Sequence, residues 1–260
     1  MEEKIEINSA GYKLNAILNI PEKANKTEKI PLVIICHGFR AQIMRPSYVN
    51  IAAGIAEKGI ASLRFDFFGH GASQGKFEDL TPEIALQNLK DVFEFLMSND
   101  KFDFVDKSRI AVFGSSFGGM ISLLFASSFY DKLKFIILKA PVSNFKDFWN
   151  SKFDVQKWKN DGFIMHSSFN KPTLRLNYSF YETGASFDVY KMAEKIKCGV
   201  YVIHGTGDKI VPIEQSEELI EHLHSEKELN IVKGADHLFS DPEHKKYLLS
   251  WLLDKVAEKI

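Results

Sequence analysis

A serine flanked by glycines at fixed spacing is the first feature of this sequence that could do chemistry. Residues 114–118, Gly-Ser-Ser-Phe-Gly, fit the pattern G-x-S-x-G with Ser116 at its centre. Chance alone produces this pattern in roughly one chain in ten of this length. Here, however, the apolar run 110–113 predicts a strand before it, and a helical run begins at Phe117. A serine on such a strand-to-helix turn can attack an ester or amide carbonyl. The alternative, a Gly/Ser-rich loop that only caps a helix, explains the setting less well.

A nucleophilic serine needs a general base, and the base needs an acid that orients it. Where the serine lies on such a turn, the chain order is serine, acid, histidine, each just after a strand. Asp208 follows the apolar run 199–204, and His237 follows the run 229–232. We therefore predict Ser116 as the nucleophile, His237 as the general base and Asp208 as the acid.

The other carboxylates and imidazoles fit these roles less well. Asp236 is adjacent to His237, and neighbouring residues seldom orient so that they share a hydrogen bond, while Asp188 is predicted to cap a helix. His204 ends a strand and is predicted to be a structural, hydrogen-bonding histidine, whereas His166 lies in an irregular stretch and stays open. Three further histidines are predicted at helix ends or on the last helix: His222, His224 and His244.

Stabilisation of a developing oxyanion requires two amide donors near the serine. His37-Gly38-Phe39 follows the apolar run 32–36, and in this arrangement the loop there supplies one donor while the residue after the nucleophile supplies the other. We therefore predict an oxyanion hole made of the backbone N–H groups of Phe39 and Phe117, each worth about 3 kcal/mol. An alternative interpretation of the same loop is a simple turn at the end of a strand.

No other motif predicts a bound cofactor. Gly69, Gly71 and Gly75 are spaced one residue too far apart for a dinucleotide-binding loop, so a nucleotide site is rejected. The sequence has no Walker A motif and no His or Cys ligand spacing that suggests a metal, and we expect no cofactor. Cys36 and Cys198 are predicted to be buried free thiols.

Charge and hydropathy limit the class of protein. The net charge is −1 and no basic stripe is present, so a nucleic acid is not an expected partner. The acidic N-terminus has no apolar segment typical of a signal peptide, and the longest apolar runs are too short to cross a bilayer. We therefore expect a cytoplasmic protein with no membrane partner. The oligomeric state, monomer or homodimer, stays open.

The elements that would position these residues alternate along the 260 residues, a length that suits one α/β domain. A hairpin at 4–7 and 13–20 is followed by a polar loop at 21–31. Later strands are predicted at 32–36, 60–65, 109–113, 133–139, 199–204 and 229–232, and helices at 46–58, 81–96, 117–129, 189–196, 212–223 and near the C-terminus. Such repeated units predict a mostly parallel sheet that binds ligands at the carboxyl ends of its strands.

With these motifs in hand, the sequence resembles the α/β-hydrolase superfamily over almost its whole length, and within it the cinnamoyl (feruloyl) esterase-like branch and its monoacylglycerol lipase-like relatives. The segments that match are 36–39, 64–73, 114–119, 204–208 and 234–241. The resemblance carries the roles of nucleophile, acid and base onto Ser116, Asp208 and His237. One departure is Ser115 and Phe117 beside the nucleophile, where the family often has His or Gln; it puts substrate preference in doubt.

The resemblance implies an α/β-hydrolase fold, with a mostly parallel eight-stranded sheet, helices on both faces and a small inserted cap. Residues 1–140 and 188–260 are expected to form the core domain, and 141–187 the cap. This insert has 11 aromatic residues in 47, against 13% aromatic overall. Most should pack the cap onto the core, but some should line the substrate pocket. The candidates for substrate binding are Phe145, Phe148, Trp149 and Phe180.

The expected function is that of a serine carboxylesterase acting on small to medium or aromatic acyl esters, with a small-molecule ester as its partner. Other acyl transfer on the same triad stays open: a peptidase, thioesterase, monoacylglycerol lipase or C–C bond hydrolase. A non-catalytic ligand-binding protein on a hydrolase scaffold is the alternative from another class.

Overall fold

The secondary structure follows the alternation expected from the sequence. The computed structural model describes residues 1–22, 28–168 and 171–260. The strands are β1 Glu2–Ser9, β2 Tyr12–Asn19, β3 Ile30–Cys36, β4 Ala61–Phe65, β5 Val105–Ser115, β6 Phe135–Lys139, β7 Phe163–Ser168, β8 Lys171–Asn177, β9 Gly199–Gly205 and β10 Lys227–Val232. The helices are α1 Pro46–Glu57, α2 Pro82–Ser98, α3 Phe117–Phe129, α4 Phe145–Asn150, α5 Val155–Asp161, α6 Tyr178–Gly184, α7 Val189–Ala193, α8 Glu214–His222 and α9 Pro242–Lys259.

Within the described residues, eight strands form one sheet in the order β1-β2-β4-β3-β5-β6-β9-β10. The pairs from β4 to β10 are parallel, and only β1 with β2 and β2 with β4 are antiparallel. The predicted mostly parallel, eight-stranded α/β-hydrolase fold is confirmed. The carboxyl ends of β3, β5, β6, β9 and β10 meet along one edge, where the predicted site residues follow.

Helices cover both faces of this sheet, because the central strands are apolar on both sides. Leu32 and Ile34 of β3 belong to a buried cluster that includes α2 and α3, whereas Val33 and Ile35 belong to a cluster that includes α1 and α9. Successive side chains of a strand point to opposite faces, so one apolar strand anchors both helical layers.

The insert 141–187 differs from the irregular stretch that the sequence suggested. Its described part forms the short helices α4, α5 and α6 and the antiparallel hairpin β7–β8, which lies outside the main sheet. Helices of six or seven residues make fewer than two turns, so no periodicity can be read from their sequence. Phe169 and residues 23–27 of the predicted polar loop lie outside the described residues. The division into core domain and cap stays a prediction.

Both cysteines are buried free thiols, as predicted from the apolar runs around them. Burial raises the pKa of each thiol to about 12, because an apolar environment disfavours the thiolate. Neither thiol is therefore expected to act as a nucleophile near neutral pH. No helix in the described part of the chain is long and apolar enough to span a bilayer.

Candidate active site

Ser116 lies on a sharp turn between β5 and α3. Its backbone has φ 55° and ψ −116°, a conformation that residues other than glycine rarely adopt. Its N–H donates to the Lys139 carbonyl at 2.8 Å, and its own carbonyl accepts from the N–H of Gly119 at 2.9 Å. Such strain persists only where the surrounding structure holds it, and it concentrates at functional sites. The turn leaves the residue half-buried, at the carboxyl end of the sheet.

The glycines around Ser116 are required by close packing. A Cβ at Gly118 would lie 2.5 Å from the carbonyl oxygens of Cys36 and His37, and a Cβ at Gly114 would lie 2.3 Å from the Ser122 hydroxyl. The G-x-S-x-G spacing therefore lets the start of α3 pack directly against the end of β3. This contact brings the 37–39 loop next to the predicted nucleophile.

The predicted acid and base form a hydrogen bond. His237 Nδ1 lies 2.6 Å from Asp208 Oδ2, and both side chains are almost fully buried. Asp208 Oδ1 accepts from the N–H groups of Ile210 and Val211 at 2.8 and 2.9 Å. These bonds fix the carboxylate, so the proton of the His237 ring is held on Nδ1 and Nε2 is left to act as a base.

His204, which was predicted to be a structural histidine, bonds to the same carboxylate oxygen. Its Nε2 lies 3.1 Å from Asp208 Oδ2 and 3.1 Å from the Val211 carbonyl, while its Nδ1 lies 2.7 Å from the Ser216 hydroxyl. With two acceptors facing Nε2, that nitrogen must carry the proton, and Nδ1 accepts from Ser216. Two imidazole N–H groups therefore donate to a single oxygen of the predicted acid.

The electrostatics of the site follow from these bonds. Burial alone would raise the pKa of Asp208, but hydrogen bonds from His204 and His237 outweigh it and hold that pKa well below its usual range. Burial lowers the pKa of His237, the bond to Asp208 raises it, and the nearby Lys139 ammonium lowers it further. The net result for His237 is a pKa below the ordinary value, so its ring is neutral near pH 7.

We expect kcat/KM to fall at acid pH with a midpoint below the ordinary histidine pKa of about 6.5. Protonation of His237 would remove the predicted base, and burial shifts that protonation to lower pH. Lys139→Met removes a positive charge that disfavours the imidazolium, so its midpoint should be higher than that of the wild type. Profiles from about pH 4 to about pH 9 test this, with circular dichroism at each pH as the control for folding. A wild-type midpoint above about 6.5 would contradict it.

The predicted oxyanion donors lie on either side of Ser116. Gly38 packs so closely that a Cβ there would be 3.3 Å from both the Ser115 carbonyl oxygen and Ser116 Cβ. Among the described residues, neither the N–H of Phe39 nor that of Phe117 donates a hydrogen bond to the protein. Tyr48 of α1 accepts from the Gly38 N–H at 3.0 Å and so fixes this loop. The roles of the two amides stay a prediction.

Arg40 ties this loop to the insert. Its N–H donates to His70 Nε2 at 3.1 Å, and its guanidinium donates to the carbonyls of His166, at 3.0 Å, and of Pro172 in the β7–β8 hairpin. Arg40 also has a positive φ of 56°. His166, which the sequence left open, packs its ring against Phe39. The 37–40 loop is thereby held between the core and the hairpin.

A cavity of about 480 Å³ opens at this edge of the sheet. Ser116 and His237 both line it, although among the described residues the Ser116 hydroxyl makes no hydrogen bond to the His237 ring. Contacts between a nucleophile and its base often tighten only in a substrate complex. All four aromatic residues predicted to bind substrate line the cavity: Phe145, Phe148, Trp149 and Phe180. Its volume is typical of small-molecule sites.

Lys139, the last residue of β6, lines the cavity and no sequence motif marks it. Its side chain is buried, and Nζ donates to the His237 carbonyl at 2.6 Å. Burial lowers the pKa of Lys139 to about 8, partly offset by the charges of Asp208 and Asp236. Arg45 and Lys152 line the same cavity and are equally unmarked by sequence. Only the fold brings these cations to the site.

The 64–73 segment, rejected above as a nucleotide site, is a tightly bonded loop. Asp66 accepts from the Ile43 N–H at 2.8 Å, from Asn15 at 2.9 Å and from the Ala72 N–H at 3.1 Å. A Cβ at Gly71, where φ is 52°, would collide with the Asp66 carboxylate. Gly71 is therefore required for this turn to pack against Asp66. Within the described ranges, no cluster of His, Cys, Asp or Glu has the geometry of a metal site.

Known proteins share this fold and parts of this sequence. A solved structure of Est1E from Butyrivibrio proteoclasticus, with ferulic acid bound, is 27% identical, covers 98% of each chain and has a TM-score of 0.87. The acylamino-acid-releasing enzyme of Sus scrofa is 25% identical over 214 residues, 80% of this chain and 28% of that protein. Dipeptidyl peptidase 4 of Sus scrofa is 28% identical over 221 residues, 82% of this chain and 26% of that protein.

The chain spans about 30% of the length of the curated relatives that it matches. The model of the prolyl oligopeptidase family matches residues 46–259, which include α1, the turn at Ser116, the Asp208–His237 pair and the whole insert. The match therefore covers most of the chain and all of the predicted triad. The chain belongs to the prolyl oligopeptidase family and has the α/β-hydrolase fold.

Proposed function

We propose that this protein is a serine carboxylesterase that hydrolyses small to medium or aromatic acyl esters through an acyl-enzyme. The observation that carries the proposal is the shared cavity: Ser116 and His237 both line it, and Asp208 holds the His237 ring at 2.6 Å. The strained turn at Ser116 supports the same roles, because such backbone strain is typical of a nucleophile presented at the end of a sheet.

The catalytic cycle uses each of these groups once per half-reaction. Ser116 Oγ attacks the ester carbonyl while His237 Nε2 takes the hydroxyl proton, and Asp208 stabilises the imidazolium. The amides of Phe39 and Phe117 donate to the oxyanion. The alcohol leaves with the proton from His237. Water then attacks the acyl-enzyme, gives a proton to His237, and releases the acid as the proton returns to Ser116.

The lining of the cavity favours an aromatic or medium acyl group. Trp149 packs against Phe39, Phe145 and Phe180, so that a continuous set of rings from the insert and the core faces the cavity. An aryl or alkyl group gains about 25 cal/mol for each Å² that it buries against such a surface. The ferulic acid bound by Est1E, which has the same fold, supports an aromatic acyl group here as well.

A peptidase is the second candidate, because the family is named for an oligopeptidase and acylamino-acid-releasing enzymes are among the relatives. The same triad cleaves amides, provided that His237 delivers its proton to a leaving amine. The cavity would then hold an acylated N-terminal residue. The two candidates differ in leaving group, so substrates that share an acyl group separate them.

We expect the wild-type protein to turn over methyl ferulate at least about tenfold faster, in kcat/KM, than methyl acetate, since burial of the ring adds binding in the transition state. The panel consists of methyl ferulate, methyl acetate, p-nitrophenyl esters of increasing chain length, and N-acetyl amino-acid p-nitrophenyl esters beside the p-nitroanilides of the same N-acetyl amino acids. Ester turnover with inert anilides supports the esterase. Anilide turnover at a comparable kcat/KM would favour the peptidase. Failure of every ester would overturn the proposal.

A further inference from the structure

The ionisable groups that line the cavity are unusual in carrying one sign of charge. The lining residues include four cations and two histidines, and no Asp or Glu is among those described. The cations come from four different places in the chain: Arg40 after β3, Arg45 before α1, Lys139 at the end of β6 and Lys152 after α4. Apart from these, the lining is mainly aromatic and aliphatic.

All four cations bond to neutral carbonyl groups, Arg40 to those of His166 and Pro172. Arg45 Nη2 donates to the Arg40 carbonyl at 3.2 Å, Lys139 Nζ to the His237 carbonyl at 2.6 Å, and Lys152 Nζ to the Ile210 carbonyl at 2.8 Å. In the part of the chain that the structure describes, no ion pair is formed by Arg45, Lys139 or Lys152. An ammonium has three donors and a guanidinium has five, so each retains donors for another acceptor.

The carboxylates that act on these cations, Asp208 and Asp236, are not among the residues that line the cavity. Asp208 acts on both Lys139 and Lys152 electrostatically. Its side chain is fully buried, however, and its oxygens accept from His237, His204 and two backbone N–H groups. A ligand in the cavity therefore meets a positive field with low-dielectric aromatic walls, where charge interactions are stronger than in water.

The N-terminal end of α1 adds to the positive field in the cavity. Arg45 is the residue before its first turn, and Ser47 and Tyr48 of that turn line the cavity. Among the described residues no acidic side chain occupies the first turn of this 12-residue helix. The positive end of the helix dipole and the Arg45 guanidinium thus act together on the same side of the cavity.

We propose that the natural substrate is an anionic ester, whose body packs against the aromatic rings and whose carboxylate accepts hydrogen bonds from Arg45 or Lys152. This inference rests on the proposed esterase function and specifies its substrate class. Arg45 is half-buried and Lys152 is exposed where they line the cavity, so a substrate carboxylate could accept charge-assisted hydrogen bonds from either side chain. A neutral ester of the same shape offers them only weaker, uncharged acceptors.

The test compares methyl 4-carboxycinnamate with its neutral isostere, methyl 4-carbamoylcinnamate. Hydrogen bonds to a charged acceptor discriminate by roughly tenfold or more, so kcat/KM for the carboxylate should exceed that for the carboxamide by at least about that factor. The excess should shrink as the salt concentration rises, because salt screens the partly exposed cations. Methyl 4-(trimethylammonio)cinnamate should be the poorest of the three.

Arg45→Gln and Lys152→Met identify the cation that binds the carboxylate. At least one should lower the carboxylate-to-carboxamide ratio of kcat/KM by about fivefold or more. Lys146→Met is the matched control, since Lys146 is exposed on α4 and does not line the cavity; its ratio should equal that of the wild type. Thermal melting verifies that each variant is folded.

The outcomes separate this inference from the proposed function. A ratio near one in the wild type, with both neutral and charged cinnamates turned over, would overturn the anionic substrate and leave the esterase intact. A carboxylate-to-carboxamide ratio that stays at the wild-type value in both Arg45→Gln and Lys152→Met would also overturn the anionic substrate. Failure to hydrolyse any ester would overturn the esterase itself, and the inference with it.

Discussion

Ser116→Ala is expected to lower kcat by about 10⁴- to 10⁶-fold for every substrate that the wild-type protein hydrolyses. The change removes the hydroxyl that we propose forms the acyl-enzyme, and the neighbouring Ser115 ends β5 and does not share the positive φ of Ser116. The residual rate would come from the predicted oxyanion donors, the amides of Phe39 and Phe117, and from substrate binding. Steady-state assays with the best ester of the panel measure the loss.

The fold should survive this change, because alanine keeps the Cβ and the positive φ that Ser116 already has. Ser116→Gly is the sharper control. It should be equally inactive but more stable, since glycine relieves backbone strain of about 1–3 kcal/mol. A melting temperature that rises in the glycine variant while activity disappears would separate the chemical role of Ser116 from its structural one.

A separate experiment tests whether Ser116 or Ser115 of the G-x-S-x-G motif is the nucleophile. A fluorophosphonate should label one serine in the wild-type protein, and peptide mapping should find the label on Ser116. Ser115→Ala should lose far less activity than Ser116→Ala, because the Ser115 side chain precedes the turn. Labelling that persists in Ser116→Ala, or activity within about tenfold of the wild type, would refute Ser116 as the nucleophile.

Asp208→Asn should lower kcat by about 10⁴-fold, the size of effect expected when the acid of such a triad becomes an amide. In this protein the new amide cannot make all the hydrogen bonds of the Asp208 carboxylate in either orientation. If its oxygen faces His204 and His237, its NH₂ group opposes the N–H groups of Ile210 and Val211, which now donate to Oδ1. If its NH₂ group faces the histidines, His237 must move its proton to Nε2 and can no longer act as a base.

The first orientation predicts a loss of stability as well as of rate. Two backbone N–H groups and one NH₂ group would lack acceptors, at about 1–3 kcal/mol for each buried unsatisfied group. Thermal or urea unfolding of Asp208→Asn measures this loss. His204→Gln is the matched comparison, because it removes one of the two imidazole donors to Asp208 and leaves the His237 bond in place. Its kcat should fall much less than that of Asp208→Asn.

A value of kcat in Asp208→Asn within about tenfold of the wild type would refute the role of Asp208. Asp236 would then be the alternative acid. Its carboxylate accepts from the Ser240 N–H at 2.8 Å. A large loss in both Asp208→Asn and His204→Gln would show that His204 positions the acid, and the pH profile of His204→Gln would report that change through His237.

The sequence alone determined the positions that the sheet must bring together. Ser116, Asp208 and His237 each follow an apolar run, and parallel strands end at one edge, so their proximity follows from topology without knowledge of any contact. The hydrogen bond between Asp208 and His237 accords with that reasoning. The eight-stranded sheet and both helical layers were likewise predictable, because buried parallel strands and long helices have distinct patterns.

Tertiary structure alone decided how the site is lined. The insert 141–187 consists of elements too short to show a period, so its hairpin and helices were unpredictable even where its aromatic residues pointed to a pocket. Lys139, Arg45 and Lys152 stand in no motif and are far apart in the chain. Their convergence depends on packing between separate segments, whereas the bond from His204 to Asp208, four residues further on, depends on the turn that follows β9. Such packing has no sequence period, because it depends on where the whole fold places each strand and helix end.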